Sequence, residues 1–262
     1  MSAARSVVAT AVNYRAAVAG LRESARHSDL VPGAVVVIPG EGPWWTSLLE
    51  AQAAGAAAVV VSNPGRVPPE ARAALSGDGV TLPVVVERPH ARADVLADAL
   101  DARAGNAPTM VTVECAAPAP DLEASLRDGL RWAAVLAGGP LSCRNGRDGM
   151  FLLEAQSQSG AIPVTLGVRL MTETSRCPLL RLMALGEVRS EFEFGSGGAG
   201  VRLETATSNG TIRAPLRYET SARRALRSAL DSCRSGERPA DLEHLLKDQG
   251  LVAELLEPHK QR

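Results

Sequence analysis

Aromatic residues make up only 3% of this 262-residue chain: three Phe, three Trp and two Tyr. A core built from it must rest on aliphatic packing, and every aromatic is a conspicuous investment. An excess of charge is missing as well. Twenty-eight basic and 29 acidic residues leave a formal charge of −1, without the basic footprint of a nucleic-acid binder. No uninterrupted apolar run approaches the roughly 18 residues of a membrane span. The opening stretch from Met1 to Arg15 is too soon interrupted for a secretory signal, so a cytoplasmic location is expected. Cys115, Cys143, Cys177 and Cys233 lie far apart with no CxxC pair, which indicates neither a zinc site nor a disulfide framework. His27, His90, His244 and His259 are scattered, and neither an HExxH nor a Ser-His-Asp set is present, so no metal site is expected.

What the sequence does hold is a hydrophobic fraction of 45%, enough for a packed core. Its first hundred residues alternate strand-like and helix-like pieces. Ser6 to Thr10 is a short strand-like run, and Tyr14 to Arg26 carries Ala17, Val18, Leu21 and Ala25 on one helical stripe. Ala34 to Ile38, Ala56 to Val61 and Pro83 to Val86 are apolar runs of the kind buried in parallel sheets. Helices are predicted between them at 46–54, 68–75 and 92–103, and a fifth strand at 109–113. Single helices between strands imply right-handed crossovers and a doubly wound parallel sheet. Ala116 to Pro120 reads as a linker, followed by a helix from Asp121, as cap, to Leu136. From Met150 the period is two, with further strands at 180–185, 190–194, 201–205 and 211–214 and two amphipathic helices at the end. The expected fold class is α/β: a Rossmann-like doubly wound parallel sheet over 1–117, then an α+β domain with a largely antiparallel sheet over 118–262.

Four groups of residues carry possible chemistry. Ala9, Thr10, Ala11, Val12 and Asn13 form the first strand-to-helix turn, where a dinucleotide fold keeps its glycines. Ala9, Ala11 and Tyr14 stand at the three glycine positions of GxGxxG, and a tyrosine at the third is expected to wedge helix and strand apart. Arg88 and His90 follow the strand at 83–86, where α/β ligand sites lie: Arg88 suits a carboxylate or phosphate, His90 a proton transfer. Each also suits an ordinary loop. Trp44 and Trp45 after Gly40-Glu41-Gly42-Pro43 read as a stacking wall for a planar ligand or as cover for a core edge. Arg131 and Trp132 lie on the helix from 121, facing a cleft or the core.

In this order, Val59 to Pro64, Val84 to Pro89 and the later helix–sheet–helix run closing on Ser235 to Pro239 resemble the Gfo/Idh/MocA-like oxidoreductases. Within that superfamily the turn at Ala9 to Asn13, Glu87-Arg88-Pro89, Pro163 to Val168 and Leu180 to Gly186 are most similar to thiazolinyl imine reductases. The resemblance implies a nicotinamide cofactor, and the departures from it fall on that chemistry. The turn has lost its glycines, and after the strand at 34–38 only Glu41 offers a carboxylate for the adenosine ribose. Arg88 stands where the family has the Lys or His of Glu-Lys-Pro or Glu-His-Pro. Arg131 and Ala134 replace the His and Asp of its Gly-x-His-x-x-Asp helix. A guanidinium is no general acid at neutral pH.

The pattern is that of an oxidoreductase fold without nicotinamide binding or hydride transfer. Such a chain would act as a partner subunit or cofactor-independent protein in secondary-metabolite or siderophore biosynthesis. The alternative is an NADPH-dependent imine or carbonyl reductase with an atypical phosphate turn. Arg88, His90 and Arg131, with Trp44, Trp45 and Trp132 as walls, suggest a small anionic or carrier-tethered ligand. An oligomer, homo- or hetero-, is expected on the second part's sheet, because Phe192, Phe194, Val201 and Leu203 are not expected to share one face.

Overall fold

The computed structural model describes residues 4–172, 178–195, 201–215 and 219–257. They divide into two compact units, Met1–Pro89 with Arg217–Lys247 and His90–Leu216 with Asp248–Arg262. The change of unit falls at Pro89, where the sequence suggested 117. The chain also returns to the first unit near its end.

In the first unit the order is β1 (Arg5–Val8), α1 (Val12–Gly20), β2 (Ala25–His27), β3 (Val35–Pro39), α2 (Trp44–Ala53), β4 (Ala58–Ser62), α3 (Pro69–Leu75) and β5 (Val84–Glu87). All pairs are parallel and the sheet order is β2-β1-β3-β4-β5. β2 was not foreseen. The helical stripe drawn through Arg26 breaks at Leu21, which leads the chain into a three-residue strand too short to show a period.

Because side chains alternate across a strand, the apolar runs of β3 to β5 feed two cores. Val35, Val37, Val60 and Val85 pack with Tyr14, Ala17 and Val18 of α1. Val36, Ile38, Val59, Val61, Val84 and Val86 pack with Trp44, Leu48 and Ala51 of α2. The sheet is thus doubly wound. The two terminal helices complete it. Ala222, Ala225, Leu226 and Ala229 of a helix at Ser221–Ser235 join the first core, and Leu242 and Leu245 of one at Asp241–Leu256 join the second. The sequence reading had left both helices in the second part, to which the end of the last one, from Asp248, does belong.

The second unit begins with α4 (Ala93–Arg103), β6 (Met110–Ala117) and α5 (Ala119–Ala137). Then follow β7 (Leu141–Arg147), β8 (Met150–Ser157), β9 (Gly160–Leu170), β10 (Leu179–Leu185), β11 (Arg189–Phe194), β12 (Val201–Thr207) and β13 (Gly210–Arg213). The terminal helices named above are α6 and α7. The eight strands form one sheet, β13-β12-β11-β10-β6-β9-β8-β7, antiparallel except for the parallel β6–β9 pair. The strand at 109–113 therefore belongs to this sheet and not to the parallel one. Its alternating burial, in contrast to the continuous runs of β3 to β5, is the physical mark of that. The proposed linker dissolves as well: Ala116 and Ala117 end β6, and α5 starts directly after Pro118, with Asp121 in its first turn and not as cap. Among the described residues no helix interrupts the strands between 160 and 214.

One face of the large sheet lies under α4 and α5. Gly129 permits close approach: a Cβ there would meet Leu180 Cδ1 at 2.9 Å and Val113 Cγ1 at 3.2 Å. Register puts Phe192 opposite Leu182 and Leu203, and Phe194 opposite Leu180 and Val201. All four of Phe192, Phe194, Val201 and Leu203 therefore share the covered face, contrary to the sequence expectation, because residues two apart always do. The other face carries Met150, Leu152, Thr112, Met183 and Leu185 beside the ion pairs Arg181–Glu191 and Arg202–Glu204.

Candidate functional site

The switch point of the first sheet lies between β1, whose next neighbour in the chain is β2 on one side, and β3 on the other. Open α/β sheets bind ligands there, beyond the carboxyl ends of the strands. A cleft of about 220 Å³ opens at that place, lined by Thr10, Ala11, Pro39, Glu41, Ser62 and Asn63 among others. Its back is shaped by Gly40, whose amide donates to Ser62 O at 2.8 Å. A Cβ on Gly40 would meet Pro64 Cα and Ser62 O at 2.4 Å, so only glycine lets the two loops touch.

Below this cleft lies a buried carboxylate. Glu87, 6% exposed, ends β5. The Tyr14 hydroxyl donates to its Oε2 at 2.7 Å, the Ser62 hydroxyl to the same oxygen at 2.5 Å, and the Ser221 hydroxyl to Oε1 at 2.5 Å. One acid thus ties α1, β4 and α6 to the end of β5. Charge-assisted bonds of this kind contribute about 1.5–3 kcal/mol each. Burial, and then the Glu87 charge, hold the Tyr14 phenol far above its usual range, so it stays a donor. Tyr14 has no exposed surface and does not wedge the turn open: its ring fills the space between α1 and the sheet. No pairwise signal in the sequence links positions 14, 62, 87 and 221, and this network was missed.

The turn that a dinucleotide would need is closed in other ways. Asn13 Oδ1 accepts from the Tyr14 amide at 3.0 Å, and Val12 projects into solvent at the helix start, 80% exposed. Among the described residues no Lys, Arg or His lines the cleft, whose charged member is Glu41. A pyrophosphate needs amide donors at close range and tolerates no carboxylate there. The loss of the glycines and the presence of Glu41 disfavour one. A single feature points the other way. With β2 in place, Asp29 follows the strand beside β1, about twenty residues beyond Ala9, where dinucleotide folds keep the acid for the ribose. The sequence reading, lacking β2, had found only Glu41 for that role.

The remaining candidates take other places. Arg88 is buried in the first unit, past the end of β5. Trp44 is a core residue, 1% exposed, that begins α2 and donates from Nε1 to Gly65 O at 3.1 Å. Trp45, half-buried, meets it edge-on at 6.2 Å. Neither tryptophan lines the cleft, so the stacking wall is not formed there. Trp132 is fully buried in the second unit against Phe192, 4.0 Å between rings, and donates to His90 O at 2.8 Å. It has no surface to offer a substrate.

His90 opens the second unit. Its ring lies 4.1 Å from that of Phe194, and Nδ1 is 3.9 Å from the buried Asp128 carboxylate, which also accepts from the His90 amide at 3.3 Å. Burial lowers the imidazole below its usual range, against the pull of Asp128, so His90 is neutral at physiological pH. A neutral imidazole beside a carboxylate can accept a proton. Arg127, also buried, pairs with the same Asp128 at 3.3 Å, and Arg131 lies half-buried on α5 one position before Trp132. Cys115, buried on β6, has its thiol pushed up to about 12 and is no nucleophile. Among the described residues no group of three or more His, Cys, Asp or Glu could hold a metal, and no helix is long and apolar enough to cross a membrane.

No protein-family model and no curated protein sequence matches the chain. Solved structures do. A UDP-N-acetylglucosamine 3-dehydrogenase from Acidithiobacillus ferrooxidans is 15% identical, with a TM-score of 0.66 over 96% of this chain and 95% of its own. A variant 3-ketoreductase from Actinomadura kijaniata, solved with TDP-benzene and NADP, is 14% identical, with a TM-score of 0.59 over 97% of each chain. A dehydrogenase from Clostridium difficile is 8% identical, with a TM-score of 0.60 over 97% of this chain and 89% of its own. At these identities the likeness is one of fold, and it spans both units: the chain shares the fold of these solved enzymes, a parallel five-stranded sheet with helices and a mixed, largely antiparallel eight-stranded sheet.

Proposed function

We propose that this chain keeps the oxidoreductase fold and works without a nicotinamide. The observation that carries the reading is Tyr14. At the third glycine position of the first turn it is fully buried, and its hydroxyl, with Ser62 and Ser221, engages Glu87 of the Glu87-Arg88-Pro89 segment. The turn is therefore assembled by a side-chain lock in place of glycine packing and ligand phosphate. The acid of that segment is held inward. Arg88 beside it offers no exchangeable proton near neutral pH. The sequence likeness of Glu87-Arg88-Pro89 and Pro163 to Val168 to thiazolinyl imine reductases supports a role as partner subunit or cofactor-independent protein in secondary-metabolite or siderophore biosynthesis.

The open sheet face of the second unit supports a partner. Met150 and Leu152 are 60% and 46% exposed there, beside half-buried Met183 and Leu185, and apolar area of this kind is normally covered. The ion pairs beside them give such a face both signs of charge, which suits a second copy as well as another subunit.

Asp29 favours a second reading, a nicotinamide-dependent imine or carbonyl reductase. Its carboxylate would prefer NADH to NADPH, since a 2′-phosphate would meet like charge. Calorimetry with both cofactors decides between the two readings. The proposal expects no binding at micromolar concentrations. A dissociation constant below about 10 μM for either, roughly 7 kcal/mol of binding, would overturn it.

A further inference from the structure

Charge balances over the whole chain, 28 basic against 29 acidic residues, but not over its parts. α1 and α6 pack on the same face of the parallel sheet and together carry five arginines and a single carboxylate, Asp231. α4 shows the reverse, with three aspartates and one arginine. A chain merely rich in arginine would not sort its charges by helix.

The helical period fixes how these side chains are laid out. Tyr14, Ala17 and Val18 turn into the core, so Val12, Ala16 and Ala19 form the outward ridge of α1. Val12 is 80% exposed, and both alanines are exposed. The same period sets Arg15 to one side of that ridge and Gly20 to the other. On α6, Arg223, Arg227 and Arg234 share one stripe. A Cβ on Gly20 would meet Arg223 Nη1 at 3.1 Å, so this stripe runs along the Gly20 side of α1. The ridge is an apolar strip with guanidinium groups on both sides.

These charges are only partly neutralised from within. Glu219 serves both Arg223, at 3.6 Å, and Arg227, at 2.5 Å, while Asp231 holds Arg234 at 2.5 Å. Arg15 is exposed and pairs with no carboxylate among the described residues. Arg22, just past α1, donates to Ala19 O at 3.1 Å, a bond that places a guanidinium without cancelling its charge. In the second unit, by contrast, Arg92, Arg144, Arg147, Arg181 and Arg202 each hold a carboxylate. Like charges gathered on one face repel one another, and an acidic partner relieves that repulsion.

The mixture of strip and cations selects the partner. A phosphate backbone or a lipid headgroup would use the cations and leave the apolar strip unmatched. A chain of charge −1 also lacks the broad attraction that such polyanions need. Carboxylates on the flanks of an apolar helix ridge match both elements, because guanidinium forks pair with carboxylates and a ridge of small residues admits a helix closely. α6 has 15 residues and is about 22 Å long, which gives room for four turns of a partner helix.

We propose that the α1–α6 face docks an acidic amphipathic helix of a partner protein. The partner's apolar side lies on Val12, Ala16 and Ala19, and its carboxylates lie on Arg15, Arg223 and Arg227. This is a surface of the first unit, additional to the open sheet of the second, and it does not depend on the cofactor-free reading.

The probe is a fluorescein-labelled, lactam-stapled peptide of about 18 residues, with leucine and alanine on one helix face and glutamate on both flanks. A shuffled peptide keeps the composition and charge without the amphipathic order. In anisotropy titrations with the full chain, the ordered peptide should bind about tenfold more tightly than the shuffled one, and about tenfold more weakly when salt is raised from about 50 to about 300 mM. Arg15→Glu combined with Arg227→Gln, one on each flank, should weaken it about tenfold. Arg147→Glu combined with Arg189→Gln changes the net charge equally on the second unit and should leave binding unchanged. Ala16→Lys adds a cation but interrupts the strip, so it should weaken the ordered peptide about threefold. In the parent, the ordered peptide should shift the NMR amide signals of Ala16 and Ala19, a readout that needs no variant to fold.

A shuffled peptide that binds as well as the ordered one would overturn the proposal. So would an equal loss from the second-unit pair, tighter binding by Ala16→Lys, unmoved amides at Ala16 and Ala19, or no binding. Single-stranded DNA or phosphatidylglycerol vesicles that bind more tightly than the ordered peptide would refute it too, and assign the face to a polyanion.

Discussion

Replacing Tyr14 by Phe removes one oxygen from the interior and leaves no orphan donor behind. Glu87 keeps Ser62 and Ser221 but loses the bond at 2.7 Å. A hydrogen bond to a charged group contributes about 1.5–3 kcal/mol, and for a chain of this length that corresponds to a fall in Tm of about 3–12 °C. A second signature separates this bond from mere packing. Burial and the Glu87 charge raise the folded phenol above its ordinary value. The unfolded chain loses that proton near pH 10 and the folded chain does not, so above pH 10 the unfolded state binds fewer protons. Stability then falls with rising pH, by up to about 1.4 kcal/mol per unit. Tyr14→Phe lacks this dependence, so the gap between parent and variant should be full below pH 10 and shrink above it. Urea unfolding at pH 8, 10 and 11, followed by far-UV circular dichroism, measures both. A Tyr14→Phe protein as stable as the parent at pH 8, or a gap that does not close at pH 11, would refute the assignment of Glu87 as the lock on α1.

Arg103 is buried and donates to Asn106 O at 3.0 Å and Val188 O at 2.9 Å, so Arg103→Ala should cost about 3 kcal/mol and lower the unfolding midpoint in urea. His90 is held below its usual pKa, chiefly by burial. Its contribution is complete above about pH 6.5 and is lost as the pH falls, and His90→Gln should flatten the melting temperature between pH 7 and 5. On the open sheet face, Met183→Lys combined with Leu152→Lys should shift light-scattering mass to the monomer without lowering Tm; a parent already monomeric at micromolar concentration would dispose of the oligomer.

Local patterning was enough to read most of the elements. The Val-rich runs that became β3, β4 and β5 and the alternating text from Met150 onward are properties of a few neighbouring residues, and they specified a doubly wound parallel sheet followed by a largely antiparallel one. The order of those elements was also enough to suggest the oxidoreductase fold. Tertiary structure decided what depends on partners distant in the chain. β2 is three residues long and owes its existence to pairing with β1. β6 looks like one more strand of the first series, and only its neighbours β9 and β10 place it in the second sheet. Of the two tryptophans read as a wall, Trp44 went into the core and Trp45 covers its edge, because burying an indole gains more than leaving it in a loop, once a carbonyl such as Gly65 O accepts the Trp44 N–H. Tyr14, written in the sequence as a flaw in a glycine motif, became the keystone of its turn, because Glu87, 73 positions away, arrived beside its hydroxyl.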